Sequence, residues 1–241
     1  MVSSDFRKDA RDKLFGKWGK VALITLAFFV LFYIISLLES HTVGFANTVV
    51  SILTMLIEVP LGFGLAVCSV KLFNGEDVKV FDFVSFGFDN FGKSWGITLR
   101  TALKLLLPII LLVVSVVLIV AGSTFSVGSA LLANTANENH IFMILIGVIL
   151  YFISLIWLIM KSYYYELAYM IAAENPEMSS KDVVEKSKEL MQNNRLKLFC
   201  LEFSFIGWAI LAVLSLGIGM LWLAPYIQFA RVSFYKNLIK E

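Results

Sequence analysis

Long apolar segments dominate this sequence and limit its possible folds more than any other feature. The segments from Val21 to Leu38 and from Ile141 to Met160 contain no charged residue. A helix rises about 1.5 Å per residue, so about 20 apolar residues span the hydrocarbon core of a membrane, where backbone groups must pair internally. With 59% hydrophobic and 16% charged residues, the composition also differs from that of soluble domains. We therefore predict an all-α, polytopic membrane protein.

Further apolar segments bring the number of predicted transmembrane helices to six. One runs from about Asn47 to Val70, and another from about Ser94 to Ala121. The last apolar block, from Leu198 to Phe234, would form a helix about 55 Å long, which is too long for one crossing. Its glycines between Leu216 and Gly219 are typical helix-ending residues, so we predict two helices joined by a tight turn.

The distribution of positive charge predicts the orientation of these helices. All 20 lysine and arginine residues lie in the N-terminal segment, around the second and fourth connections, and at the C-terminal end, with three just inside predicted helices. The first and third connections, 39–46 and 122–140, and the glycine turn contain none. Because short loops rich in lysine and arginine stay in the cytoplasm, both termini are predicted to be cytoplasmic.

The first 20 residues are predicted to form an interfacial helix (1–20). Phe6, Ala10, Leu14 and Trp18 are four residues apart and make one apolar stripe, which suits the cytoplasmic headgroup layer beside anionic lipids. A signal peptide is the other interpretation of a basic leader before an apolar run. The run is longer than a signal peptide needs, so we expect a retained anchor.

An internal duplication is predicted within a single integral membrane domain, 1–241. The first repeat is placed at 47–121, the second at 141–215, and the last transmembrane helix at 217–235. Asp82 recurs as Asp182, and Leu65-Ala66 recurs as Leu167-Ala168. The two copies have the same orientation, so we expect an axis along the membrane normal.

Both cytoplasmic connections contain a short amphipathic stretch. In the first, one helical face is predicted to carry the apolar residues Val80, Val84, Phe88, Phe91 and Trp95. In the second, Ser179 and Asp182 form a predicted helix cap. Tryptophans near a boundary, namely Trp18, Trp95 and Trp222, are interpreted as interfacial residues.

Three charged residues form the candidate intramembrane polar site. Glu58 lies near the middle of the second helix, two residues before Pro60, and a carboxylate at that depth should face the bundle or a wet cavity. It is interpreted either as a proton, cation or substrate site or as a hydrogen-bonded neutral acid. Lys104 and Glu202 lie at matching places in the two repeats, and we predict a structural ion pair between them.

The segment from Gly87 to Ser94 matches the phosphate-binding pattern G-x-x-x-x-G-K-[ST]. A working phosphate loop follows a buried strand and opens a helix packed on a parallel sheet. This segment instead precedes a membrane helix and has no such strand before it. We interpret the match as accidental.

The sequence offers little for catalysis or cofactor binding. His41 and His140 lie in different outer loops without a nearby cysteine, so no metal site is predicted. Cys68 and Cys200 are interpreted as small apolar residues. No catalytic residue and no cofactor site is predicted, and a net charge of +2 does not indicate nucleic acid as a partner. We expect that the chain is not an enzyme.

The C-terminal third and the N-terminal segment resemble a known family. The residues that carry the resemblance are Lys161-Ser162-Tyr163-Tyr164, Ala168-Tyr169, Glu174-Asn175-Pro176-Glu177-Met178-Ser179, Ser187, Met191, Leu198-Phe199, Phe203-Ser204-Phe205-Ile206-Gly207-Trp208, Leu216-Gly217-Ile218-Gly219, Leu221-Trp222-Leu223, Pro225-Tyr226 and Phe234-Tyr235, together with Arg7, Ala10, Arg11, Leu14, Gly16 and Trp18. They are similar to a bacterial integral-membrane family known only as a domain of unknown function, number nine-seven-five. The resemblance implies a six-helix protein of the bacterial inner (plasma) membrane and supplies no catalytic or ligand residue.

Two functions are compatible with this sequence. The first is a non-enzymatic membrane protein that binds a lipid or a small amphiphile between the two repeats, or serves as a membrane subunit of a larger assembly. Its expected partners are membrane lipids and either another membrane protein or further copies of the same chain. The second is a proton- or cation-coupled secondary transporter that uses Glu58, with Pro60, Pro108 and Pro225 allowing helix distortion.

Overall fold

The structure is a computed structural model that describes residues 2–133 and 138–240, and all regular structure in those residues is helical. The prediction of the all-α class is thus confirmed. The helices, in chain order, are α1 (Ser3–Leu14), α2 (Trp18–Ser40), α3 (Phe45–Phe73), α4 (Asp82–Asp89), α5 (Phe91–Ala133), α6 (Glu138–Ser162), α7 (Ala168–Glu174), α8 (Ser180–Met191), α9 (Arg195–Phe203), α10 (Ile206–Leu214) and α11 (Met220–Leu238), with a 3-10 turn at Tyr163–Tyr165.

Five helical segments of the described chain are long and apolar enough to cross a membrane, which identifies the chain as a membrane protein. They are Trp18–Leu37, Phe45–Phe73, Phe91–Thr124, His140–Glu174 and Arg195–Leu214. The sixth predicted crossing corresponds to α11, which is not among the five. Gln228, Arg231 and Lys236 make this helix more polar than the others, so the sixth crossing stays a prediction.

The last apolar block, from Leu198 to Phe234, is divided at the predicted glycine turn. Residues 215–219 form the turn between α10 and α11, and Leu216 and Gly217 there have left-handed backbone angles, with φ of 56° and 84°. A second division was not predicted: Ser204 and Phe205 separate α9 from α10.

The predicted connection 122–140 is also shorter than expected. α5 continues to Ala133, and residues 134–137 lie outside the described residues.

The chain forms two compact units. The first comprises Met1–Leu99 with Tyr165–Glu241, and the second comprises Arg100–Tyr164.

The second unit consists of the antiparallel segments of α5 and α6. Small residues line their contact: a Cβ atom added at Gly147 would lie 3.1 Å from the carbonyl oxygen of Ser115, and one added at Gly122 would lie 3.2 Å from that of His140. Leucine, isoleucine and valine side chains cover the outer faces. Small residues inside and branched apolar residues outside are typical of helices packed within lipid.

In the first unit, α4 folds back onto the second half of α3. Gly64 of α3 and Gly87 of α4 bring the two backbones together, and Phe83 is fully buried beside them. The face of α4 that packs on α3 is not the predicted apolar face with Phe88 and Phe91. Phe88 and Phe91 are exposed, because α4 turns the face with Phe83 and Gly87 toward the glycine surface of α3.

The apolar stripe of the N-terminal helix packs on protein. Phe6, Ala10 and Leu14 are all buried, and the ring of Phe6 meets that of Phe234 in α11 at 5.3 Å. The sequence predicts that this stripe faces lipid headgroups, and the structure corrects this prediction. α11 offers an apolar surface of its own, so the stripe is removed from water by an intramolecular contact.

Two lysines fix the start of α2 to the connection that follows α3. Lys17 Nζ donates to the carbonyl oxygen of Leu72 at 2.9 Å, and Lys20 forms an ion pair with Asp77. The hydrogen bond from Lys20 lowers the pKa of the Asp77 carboxyl below its ordinary value. Asp77 is exposed, so water screens this pair.

The predicted helix cap in the second cytoplasmic connection is confirmed. Ser179 is the N-cap of α8, and its side-chain oxygen accepts a hydrogen bond from the backbone N–H of Asp182 at 3.2 Å. Val183 and Val184 follow at once and are buried.

Candidate functional site

The first unit contains an apolar pocket with a volume of about 470 Å³. Its lining includes Trp18, Trp208, Trp222, Tyr226, Leu211 and Arg11, and we call it the tryptophan pocket. These residues come from α1, α2, α10 and α11. The volume lies within the range of sites that hold small organic ligands.

The turn between α10 and α11 gives the pocket its shape. A Cβ atom added at Gly219 would lie 2.8 Å from the Cα atom of Ala212, so only glycine permits this approach of the two helices. The backbone N–H of Gly219 donates to Ser215 Oγ at 2.8 Å, which closes the turn. Trp208 and Trp222 are thereby held on the two arms of one helical hairpin.

Tyr226 joins the aromatic residues of the pocket to the N-terminal helix. Its ring meets that of Trp18 at 6.1 Å and that of Phe205 edge-on at 5.0 Å. Its hydroxyl group donates to the backbone carbonyl oxygen of Arg7 at 3.2 Å. Trp208 and Trp222 remain about half exposed, so they form the open side of the pocket.

Of the described residues that line the tryptophan pocket, Arg11 alone is charged. It lies on α1, one turn after Arg7, whose guanidinium group donates to the carbonyl oxygen of Ser204 at 3.4 Å. Within the described part of the chain, no carboxylate forms an ion pair with Arg11. An apolar cavity with one cation at its edge suits a molecule that has an apolar part and a polar head.

Sequence reasoning did not identify the tryptophan pocket. Trp18 and Trp222 were interpreted as interfacial residues, and Trp208 was considered only as part of the family resemblance. One feature of the sequence does indicate the pocket: Trp208 and Trp222 lie on opposite sides of the glycine turn. A tight turn brings the helix before it and the helix after it together.

Glu58 lies in α3 and is partly exposed. One turn earlier, Thr54 Oγ1 donates to Glu39 Oε1 at 2.5 Å. Glu39 is in the last turn of α2. Glu58 is therefore only about 6 Å, one helical turn, from the level at which α2 ends.

Glu202 forms an ion pair with Arg231, a partner that was not predicted. Arg231 of α11 forms ion pairs with two carboxylates, with Nη2 2.6 Å from Glu202 Oε1 and Nη1 2.8 Å from Glu166 Oε1. Arg231 was missed as a partner although it is a lone cation in an apolar block. Lys104 is an exposed residue of α5 in the second unit, and its pairing with Glu202 stays a prediction.

The segment that matches the phosphate-binding pattern spans the end of α4 and the start of α5. Lys93 Nζ donates to the backbone carbonyl oxygens of Asn175 and Pro176, at 2.9 and 2.7 Å. Ser94 is fully buried. The lysine that would bind a phosphate therefore connects α5 to the turn before α8, which supports the interpretation of the match as accidental.

Comparison with known proteins identifies the family. No curated protein and no solved structure matches the chain. A family described as "Protein of unknown function (DUF975)" matches residues 1–241. The resemblance drawn from the two ends of the sequence thus extends over the full printed sequence, and the chain belongs to the DUF975 family.

Proposed function

We propose that this membrane protein binds a lipid or another small amphiphile in the tryptophan pocket and that it performs no chemistry on it. The observation that carries the proposal is the pocket itself, with its three tryptophans and a volume of about 470 Å³. Aromatic and aliphatic side chains line most ligand sites, while a few polar groups orient the ligand. The sequence suggested a site between the two repeats, whereas the tryptophan pocket uses α1, α2 and the α10–α11 hairpin.

Filling the pocket should abolish retention of the amphiphile. In Leu211→Trp, the larger side chain enters the space that the ligand needs, because Leu211 lines the pocket and is 57% exposed. Wild-type protein gently extracted in detergent should retain one lipid molecule per chain in native mass spectra. Leu211→Trp should retain less than about a tenth of this amount, the effect of losing an apolar contact worth more than about 1.4 kcal/mol.

Val213→Trp is the matched control, because Val213 is on the same helix, is 64% exposed and does not line the pocket. It should retain the lipid as the wild type does. Equal retention by wild type and Leu211→Trp, or equal loss in both variants, would contradict the proposal. A co-purified protein in place of a lipid would instead support a role as membrane subunit.

We also propose that the chain crosses the bacterial plasma membrane six times, with α11 as the last crossing and both termini in the cytoplasm. The positive-inside distribution supports this orientation, since all 20 basic residues lie within or beside the predicted cytoplasmic segments. The polar side chains of α11 are compatible with a crossing, because Arg231 and Lys236 form ion pairs with carboxylates elsewhere in the protein rather than facing lipid unpaired.

Coupled transport is the second candidate function, and the hydrogen bond from Thr54 to Glu39, one helical turn from Glu58, favours it. Two carboxylates near one end of a helical hairpin can share a proton or a cation. Glu58→Gln removes one of them, so uptake into proteoliposomes driven by a proton gradient should fall to background. Glu76→Gln, which alters an exposed carboxylate paired with Lys71, should leave uptake unchanged. Flux that is absent in the wild type or equal in Glu58→Gln would contradict transport.

A further inference from the structure

We infer that the ligand of the tryptophan pocket is a phospholipid with an anionic head group, whose phosphate lies at Arg11 and whose acyl chain lies along Trp208 and Leu211. This inference rests on the proposed function and adds the chemical class of the ligand and its orientation. It follows from the charge, the polarity and the position of the residues that line the pocket.

The charge of the pocket has one sign. Among the described residues, Arg11 lines it, and no aspartate or glutamate does. An arginine beside apolar surface loses part of its hydration, and an anion that forms charge-assisted hydrogen bonds with the guanidinium group restores it. A zwitterionic head group brings an ammonium group near Arg11 as well, which offsets part of this gain. The pocket therefore favours a head group with net negative charge.

The neighbouring arginine, Arg7, already forms hydrogen bonds within the protein. Arg7 donates to the carbonyl oxygen of Ser204, and its own carbonyl oxygen accepts the hydroxyl proton of Tyr226. These contacts hold α1 against α9 and α11. Arg7 thus fixes the position of the helix, while Arg11, one turn further on, is exposed at the edge of the pocket.

The remaining lining favours a lipid over a free phosphate ion. Ala212 and Leu223 form the buried floor, and Leu211 with Trp208 and Trp222 forms the open side. A small anion would use Arg11 alone and leave this apolar surface in contact with water. An acyl chain covers it, so its burial contributes most of the binding free energy.

A competition experiment tests the head-group preference. Purified protein is mixed with equal amounts of phosphatidylglycerol and phosphatidylcholine with identical acyl chains in detergent micelles, and the retained lipid is identified by native mass spectrometry. We expect a preference of about fivefold for phosphatidylglycerol, the effect of one basic residue near an anionic lipid. Arg11→Gln should reduce this ratio to about one while lipid is still retained. A further arm adds millimolar inorganic phosphate, which should not displace the lipid.

Lys8→Gln is the matched control, because it removes one positive charge from the same helix at an exposed position outside the pocket. It should keep the fivefold ratio. A ratio of one in the wild type, an equal loss in Lys8→Gln and Arg11→Gln, or displacement by phosphate would each overturn the inference while lipid binding stands. If neither lipid is retained by the wild type, the proposed function itself fails.

Discussion

Replacing Gly64 by alanine is expected to lower the unfolding temperature of the detergent-solubilised protein by on the order of 10 °C, which corresponds to a loss of about 3 kcal/mol in a chain of this size. The added methyl group has no space. Its Cβ atom would lie 1.8 Å from the carbonyl oxygen of Phe83 and 2.9 Å from the backbone nitrogen of Gly87. Both are backbone atoms of α4, so the collision is relieved only when the two helices separate.

The contact is reciprocal, which gives an independent variant. A Cβ atom at Gly87 would lie 2.3 Å from the carbonyl oxygen of Pro60 in α3. Gly87→Ala should therefore destabilise the protein to a similar extent. Thermal unfolding followed by circular dichroism measures both effects, and tryptophan fluorescence should report the change near Trp95, whose indole N–H donates to the carbonyl oxygen of Leu56 in α3.

Gly62→Ala is the control for this prediction. Gly62 is in the same helix, two residues away, and apart from the neighbouring residues and backbone of its own helix no atom lies within 4 Å of the position of its Cβ. Alanine has a higher helix propensity than glycine by about 1 kcal/mol, so this variant should be as stable as the wild type or slightly more stable. If Gly64→Ala and Gly62→Ala behaved alike, the close contact between α3 and α4 would not exist in the folded protein.

The second large effect is expected at Arg231. Its guanidinium group bridges Glu166 and Glu202, and all three side chains are between a fifth and a third exposed. Arg231→Leu leaves two carboxylates next to each other without their shared cation. Breaking a fully buried pair costs about 3 to 5 kcal/mol. Because water partly screens this one, we expect a loss of about 2 kcal/mol, measured as a shift of the thermal midpoint.

Rescue by charge removal distinguishes an electrostatic effect from a packing effect. The triple variant Arg231→Leu, Glu166→Gln, Glu202→Gln has no unpaired carboxylate, so it should recover most of the lost stability. Arg231→Lys should lie in between, because an ammonium group cannot make both of the contacts of the guanidinium fork. A single variant Arg231→Leu that unfolded at the wild-type temperature would show that the bridge does not stabilise the fold.

The features that were predicted correctly depend on residues close together in sequence. The apolar segments form helices because backbone pairing within lipid leaves little alternative. The turn near Gly217 and the cap at Ser179 are equally local, since a few residues determine the backbone angles and hydrogen bonds of each. These features define the all-α fold and its main divisions.

The features that were missed depend on residues far apart in sequence. The buried face of α4 is determined by Gly64 of α3, and the partner of Glu202 is Arg231 of another helix. Periodicity shows that a helix has an apolar face, but it does not reveal which neighbour covers that face. The tryptophan pocket combines Trp18 with Trp208 in the same way, so composition alone could not indicate it.

The packing of α1 on α11 has a consequence for biosynthesis. The hydrogen bond from Tyr226 to Arg7 joins residues 219 positions apart. Ribosomes add about 5 to 20 residues per second, so α11 is synthesised roughly 10 to 45 s after α1. During that interval Phe6, Ala10 and Leu14 of the nascent chain lack the surface that finally covers them. The membrane surface is the nearest apolar environment for these side chains in that interval. The N-terminal helix therefore docks late, and its packing on α11 is among the last steps of folding.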